Sequence, residues 1–339
     1  MTQLAACNLP VHSNPAAIAA PSARQYFHEL VSQTVVVQRL TGMKLARPLL
    51  PFLMLCGYMC AGTEAQATPA GGSEPSAVYD LDADLSLRKR EALAELGPRA
   101  EVQVVEGTFL VAAPGGRRAL ASALDVTRKA LAAYFNGRFA KRPSRAISVY
   151  LFPTAEPYDA YCKKRDSAAC ISPFGFYVHG DRRIVMNVGP GLGTLTHELI
   201  HPLVEADFPS APDWINEGIA SLFEHFYFSA PGEIHGGKNW RHPRLVQALR
   251  SKDERPDASL PTLFTLSDQQ FRSDNEALNY ATARYLCQWL DQQQKLWPFY
   301  QRWRDHFAED PSGEKSFRAV VGKTPAEADA EWTAWVLRL

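Results

Sequence analysis

Net charge is the first thing missing. The 339 residues carry 36 Lys and Arg against 36 Asp and Glu, a formal charge of zero. A basic footprint for nucleic acid and an acidic tail are both absent, so no nucleic-acid partner is expected. Long apolar runs are missing too. None approaches the roughly 20 residues of a membrane-spanning helix, which excludes a multi-pass membrane protein. No heptad pattern and no repeat of fixed period is visible, which argues against coiled coils and solenoids. What is present is apolar bulk. At 46% hydrophobic residues, the chain can build one large domain or two lobes with real cores.

The segment Met43–Ala67 begins with Lys44 and Arg47, continues in an apolar run, and ends in Ala65-Gln66-Ala67. This is the order of a secretory signal peptide. The true start is then Met43, and residues 1–42 are read as a misassigned upstream extension. A buried core helix is the alternative, but Pro48 and Pro51 would break it early. The expected location is periplasmic or extracellular, with no membrane span in the mature chain. In such a compartment disulfides persist, and Cys162 and Cys170 are placed to close a small loop. Cys287 lies in an apolar helical pattern and reads as a buried thiol.

Residues 68–97 read as a flexible leader and a short helix. Beyond them the pattern is α+β: a mixed α/β lobe over 98–205, then a helical lobe over 206–339. Strands are expected at Val102–Val105, Thr108–Ala112 and Ala146–Phe152. Phe174–His179 and Arg183–Val188 alternate around Gly180-Asp181-Arg182, the pattern of a β-hairpin. Helices follow at Leu195–Glu205, Ile215–Phe228 and Glu276–Gln293.

The chemistry begins at His197-Glu198-Leu199-Ile200-His201. Residues four apart on a helix share one face, so two imidazoles can grip one Zn2+ while the adjacent Glu activates water. A catalytic zinc takes a third protein ligand. Trp214-Ile215-Asn216-Glu217-Gly218-Ile219-Ala220-Ser221-Leu222-Phe223-Glu224 offers Glu217 for that place. The small Gly218 and Ala220 are expected to let this helix pack closely on the first. Ser221, one turn on, and Glu224 are candidates to hydrogen-bond a ligand, with a solvated helix face the alternative for Glu224. Pro202 is the local objection, because it removes a backbone donor inside the metal helix.

These residues resemble the gluzincin metallopeptidases, and Trp214–Glu224 resembles the corresponding helix of the aminopeptidase N group. The resemblance implies a zincin-like fold, with the metal helix between the two lobes and an edge hairpin beside it. It implies His197, His201 and Glu217 as zinc ligands and Glu198 as general base. It also implies that a strand before the metal helix pairs with substrate backbone, a role expected of Arg183, Ile184, Val185, Met186 and Asn187. Tyr280-Ala281-Thr282-Ala283-Arg284-Tyr285 is similar to the segment that carries the oxyanion-stabilising Tyr. Tyr280 is the matching position; an interfacial aromatic role and Tyr285 are the alternatives. The G-x-M-E-N motif that anchors a free amine is absent, so exopeptidase specificity does not carry over. The expected activity is zinc-dependent hydrolysis of peptide or protein substrates. A non-catalytic, zinc-stabilised binding module of the cell envelope is the rival reading.

Overall fold

The computed structural model describes residues 79–115 and 117–339. The expected upstream extension, signal peptide and most of the leader lie outside the described residues. Helix α1 (Leu81–Leu96) is capped by Asp80, whose carboxylate accepts from the Ala83 amide. Strands β1 (Glu101–Val105) and β2 (Phe109–Ala113) follow, then α2 (Arg117–Tyr134), β3 (Ile147–Phe152) and α3 (Ala155–Asp166). The hairpin is β4 (Gly175–Val178) and β5 (Arg183–Asn187). These five strands form one mixed sheet in the order β1-β2-β3-β5-β4. The inner strands β2, β3 and β5 are parallel, and β1 and β4 run antiparallel at the two edges.

Successive side chains of a strand point to opposite faces, and both faces here are covered. Phe109, Val111, Ile147, Val149, Leu151, Ile184 and Met186 enter the large core shared with the later helices. Leu110, Ala112, Tyr150, Phe152 and Val185 enter a smaller core with Ala92 of α1 and Tyr158, Tyr161 and Cys162 of α3. This two-sided burial explains why the inner strands read as continuous apolar runs. The large core continues without a break past residue 205 into the helical part.

Helix α1 is pinned to the hairpin turn by charge. Asp84 accepts from Tyr79, Arg88 and Arg182 at 2.6, 3.1 and 3.1 Å. Burial acts to raise the Asp84 pKa, but these partners outweigh it and hold the carboxyl below its ordinary value of 3.8. A depressed carboxylate contributes stability that is complete above the unfolded value and is lost as pH falls through the folded one. Asp84→Asn is therefore expected to cost about 1.5–3 kcal/mol at neutral pH. The gap to wild type should close on acidification below 3.8. Urea melts across that range check both statements, and a pH-independent gap contradicts them.

After β5 come α4 (Gly193–Glu198), α5 (Ile200–Asp207), α6 (Asp213–Leu222), the short strands β6 (Phe226–Phe228) and β7 (Ile234–Gly236), and α7 (His242–Arg250). Then follow α8 (Leu260–Thr265), α9 (Asp268–Phe271), α10 (Glu276–Gln292), α11 (Leu296–Asp305), α12 (Glu314–Val321) and α13 (Pro325–Arg338). The helix expected over Ile215–Phe228 stops at Leu222. The alternating Phe226-Tyr227-Phe228 pairs instead with Ile234–Gly236 as a second hairpin. Trp214, Phe264, Phe299, Trp303 and Phe317 form an aromatic cluster beneath α6. Among the described residues no helix is long and apolar enough to cross a membrane.

Candidate metal centre

The helix that carries both histidines is built in two pieces. It is continuous in direction through Leu199, which keeps right-handed helical angles of φ −65° and ψ −23°. The ladder is interrupted there because Pro202, four residues beyond Glu198, has no N–H to give. Both histidines keep their helical placement, so Pro202 breaks the hydrogen bonding rather than the motif. The entry turn is held tightly: a Cβ on Gly193 would lie 2.0 Å from the Glu224 carbonyl oxygen. Only glycine permits that approach. Thr196 Oγ1 donates to the Phe223 carbonyl at 2.7 Å, so the helix start is fixed to the end of α6.

His197, Glu198 and His201 are all buried, and their ligand atoms lie within 4.8 Å of one another. The imidazole centroids are 5.0 Å apart. Glu217 arrives from α6, with Oε2 3.3 Å from His197 Nε2. Two ligands of a tetrahedral ion with bonds of about 2.0–2.1 Å stand about 3.3–3.4 Å apart. Glu217 Oε2 is buried and has no hydrogen-bond partner. A buried carboxylate oxygen needs a cation beside it, either a protonated His197 or a metal ion, and the donor set of two imidazoles and a carboxylate fits a metal ion.

The imidazoles are oriented from behind. His201 Nδ1 lies 3.1 Å from Asn216 Oδ1. That oxygen only accepts, so the ring donates from Nδ1 and keeps the Nε2 lone pair free. Nε2 in turn lies 3.8 Å from Glu198 Oε2. His197 Nδ1 lies 3.5 Å from Glu224 Oε1 and makes no hydrogen bond. Glu224 is gripped by Arg241 through two bonds of 3.0 and 2.7 Å and by Asn239 at 2.8 Å.

The electrostatics demand positive charge. Burial acts to lower the His197 pKa, yet Glu217, Glu198 and Glu224 together lift it to about 9. Burial acts to raise Glu217, but His201, His197 and Arg272 hold it well below the carboxylate range. Glu198 differs: burial pushes its pKa up, and the two histidines only partly offset this. Of the two acids, Glu217 is thus held as an anion, while burial shifts Glu198 toward its neutral form.

Tyr280, on α10, is half-buried and stands in the same network. Its hydroxyl accepts from Arg272 Nη1 at 2.5 Å, and Arg272 Nη2 donates to Glu217 Oε1 at 2.7 Å. Burial, with Glu217 next, raises the phenol pKa well above 10, so it keeps its hydrogen at neutral pH. Tyr285 is buried elsewhere, bonding to Asn239.

Three expectations need correction. Arg183, Ile184, Val185, Met186 and Asn187 form an inner strand, paired with β3 on one side and β4 on the other. Its ladder is already taken on both sides, so it cannot add a substrate strand; the free edge belongs to β4. The Arg183 side chain also turns away, to Glu95 and the Tyr161 hydroxyl. Ser221 Oγ is buried without a hydrogen-bond partner, so it holds no ligand. Gly218 faces α10 rather than the two-histidine helix: an added Cβ would meet Cys287 Sγ at 2.9 Å and the Ala283 carbonyl at 3.1 Å.

Cys162 and Cys170 form a disulfide with Cα atoms 5.2 Å apart, and Cys287 is a buried free thiol. Sequence reading missed Asn216, Arg241 and Arg272. Asn216 adjoins Glu217 and was open to notice; the two arginines reach the site from distant segments and leave no local pattern. No known protein-family model matches the chain, and a search of curated proteins finds no match.

Proposed function

We propose that the chain is a zinc-dependent peptidase with a zincin-like fold, working outside the cytoplasm. One observation carries the reading: Glu217, from a separate helix, brings Oε2 to 3.3 Å from His197 Nε2, the separation of two ligands on one ion. His197, His201 and Glu217 would hold Zn2+. When bound, that ion supplies Lewis-acid polarisation of the scissile carbonyl and acidifies water. Glu198 takes the proton of the attacking water and passes it to the leaving amine. Tyr280 accepts from Arg272, so its own hydrogen is free to donate to the developing oxyanion. An extended substrate would lie along the free edge of β4 by strand addition. The Cys162–Cys170 disulfide supports an exported protein.

Purified protein incubated with a diverse peptide pool should cleave it. A chelator should abolish cleavage, and added zinc should restore it. Cleavage that persists after complete metal removal contradicts the reading.

A further inference from the structure

We infer that Arg272 is a positioning residue that sets the third metal ligand and the oxyanion-binding phenol with one guanidinium. This rests on the metallopeptidase reading above. The fork of Arg272 makes three separate bonds: Nη2 to Glu217 Oε1 at 2.7 Å, Nη1 to the Tyr280 hydroxyl at 2.5 Å, and Nε to Asp213 Oδ2 at 2.8 Å. Each partner has a different place. Asp213 opens α6, Glu217 lies one turn further on, and Tyr280 stands on α10. Binding one oxygen of Glu217 turns the other toward His197 Nε2. A planar, rigid donor set can hold three groups in fixed mutual geometry, which a flexible ammonium cannot.

Arg272 is itself placed by a short, well-anchored element. It directly follows α9, which opens with a reciprocal Ser267–Gln270 cap. Asp268 of α9 accepts the Asp213 amide at 2.8 Å, while Arg272 returns a bond to the Asp213 carboxylate. Asn279 donates to the Phe271 carbonyl at 3.0 Å, which fixes the exit of α9 to α10. Three helices thus meet at one side chain. Asp213, Glu217 and Glu276, the last at 3.9 Å, surround it with negative charge, so a substrate carboxylate is not its partner.

The test uses full-length protein and zinc itself. Zinc affinity is measured by competition with a chromophoric chelator, beside peptide turnover, for wild type, Arg272→Met, Arg272→Lys and Tyr280→Phe. Arg272→Met should weaken zinc binding by about 10–100-fold and lower kcat more than it raises KM. Arg272→Lys should recover part of the affinity. Tyr280→Phe should bind zinc as wild type does while losing kcat, and adding Arg272→Met to it should cost less in kcat than Arg272→Met alone. If Arg272→Met does not fold, Arg272→Lys carries the test, with affinity several-fold below wild type expected. Wild-type zinc affinity in the Arg272 variants overturns the inference and leaves the metallopeptidase reading standing. A wild type that takes up no zinc overturns the reading itself.

Discussion

Glu198→Gln is expected to keep its metal and lose its turnover, by about 10²–10⁴-fold. The substitution preserves shape and removes only the ability to accept a proton. Glu198 is buried beside both imidazoles, so no other carboxylate of the site can take its place without moving. Glu217 is held as an anion by its cationic neighbours, and Glu224 is committed to Arg241 and Asn239. Single-turnover assays on zinc-loaded protein separate the chemical step from substrate binding. Turnover equal to wild type would remove Glu198 from the mechanism. A wild type that binds peptides with zinc present and never cleaves them would favour the envelope binding module instead.

His201→Ala should weaken zinc binding by about two to three orders of magnitude. Zinc sites of four ligands are worth about 10–16 kcal/mol, so one ligand carries about 2.5–4 kcal/mol. The variant also releases Asn216, whose side chain holds the ring at 3.1 Å. Two readouts should agree. Metal retained after dialysis should fall with affinity. Thermal melts should show wild type gaining about 2.7 kcal/mol at zinc levels 100-fold above its dissociation constant, and the variant gaining almost nothing at the same concentration. Equal gains would mean that zinc binds somewhere else.

Local pattern carried much of this molecule. Two-sided burial marks Ile147–Phe152 as an inner strand, and the alternation around Asp181 marks the hairpin. The His197/His201 spacing and the position of Glu217 were legible because each depends on a few neighbouring residues. Register across the sheet was not. The apolar run Ile184-Val185-Met186 points to covered faces, but nothing local names β3 as the strand on its other side, so the open edge is assigned one strand too far inward. Phe226–Phe228 read as a continuation of α6, because apolar residues satisfy either period over three positions. Arg241 and Arg272 were invisible for a different reason. Their meaning comes from partners as many as 59 positions away in the chain, and a lone arginine carries no spacing.

Gly218 has a further consequence. It sits beside Glu217 in sequence but fits against Ala283 and Cys287 on the far side of α6. The distance between Glu217 and the two histidines is therefore set partly by the packing of α6 on α10. A single methyl group inserted there would push α6 off α10 and shift the Glu217 carboxylate relative to His197.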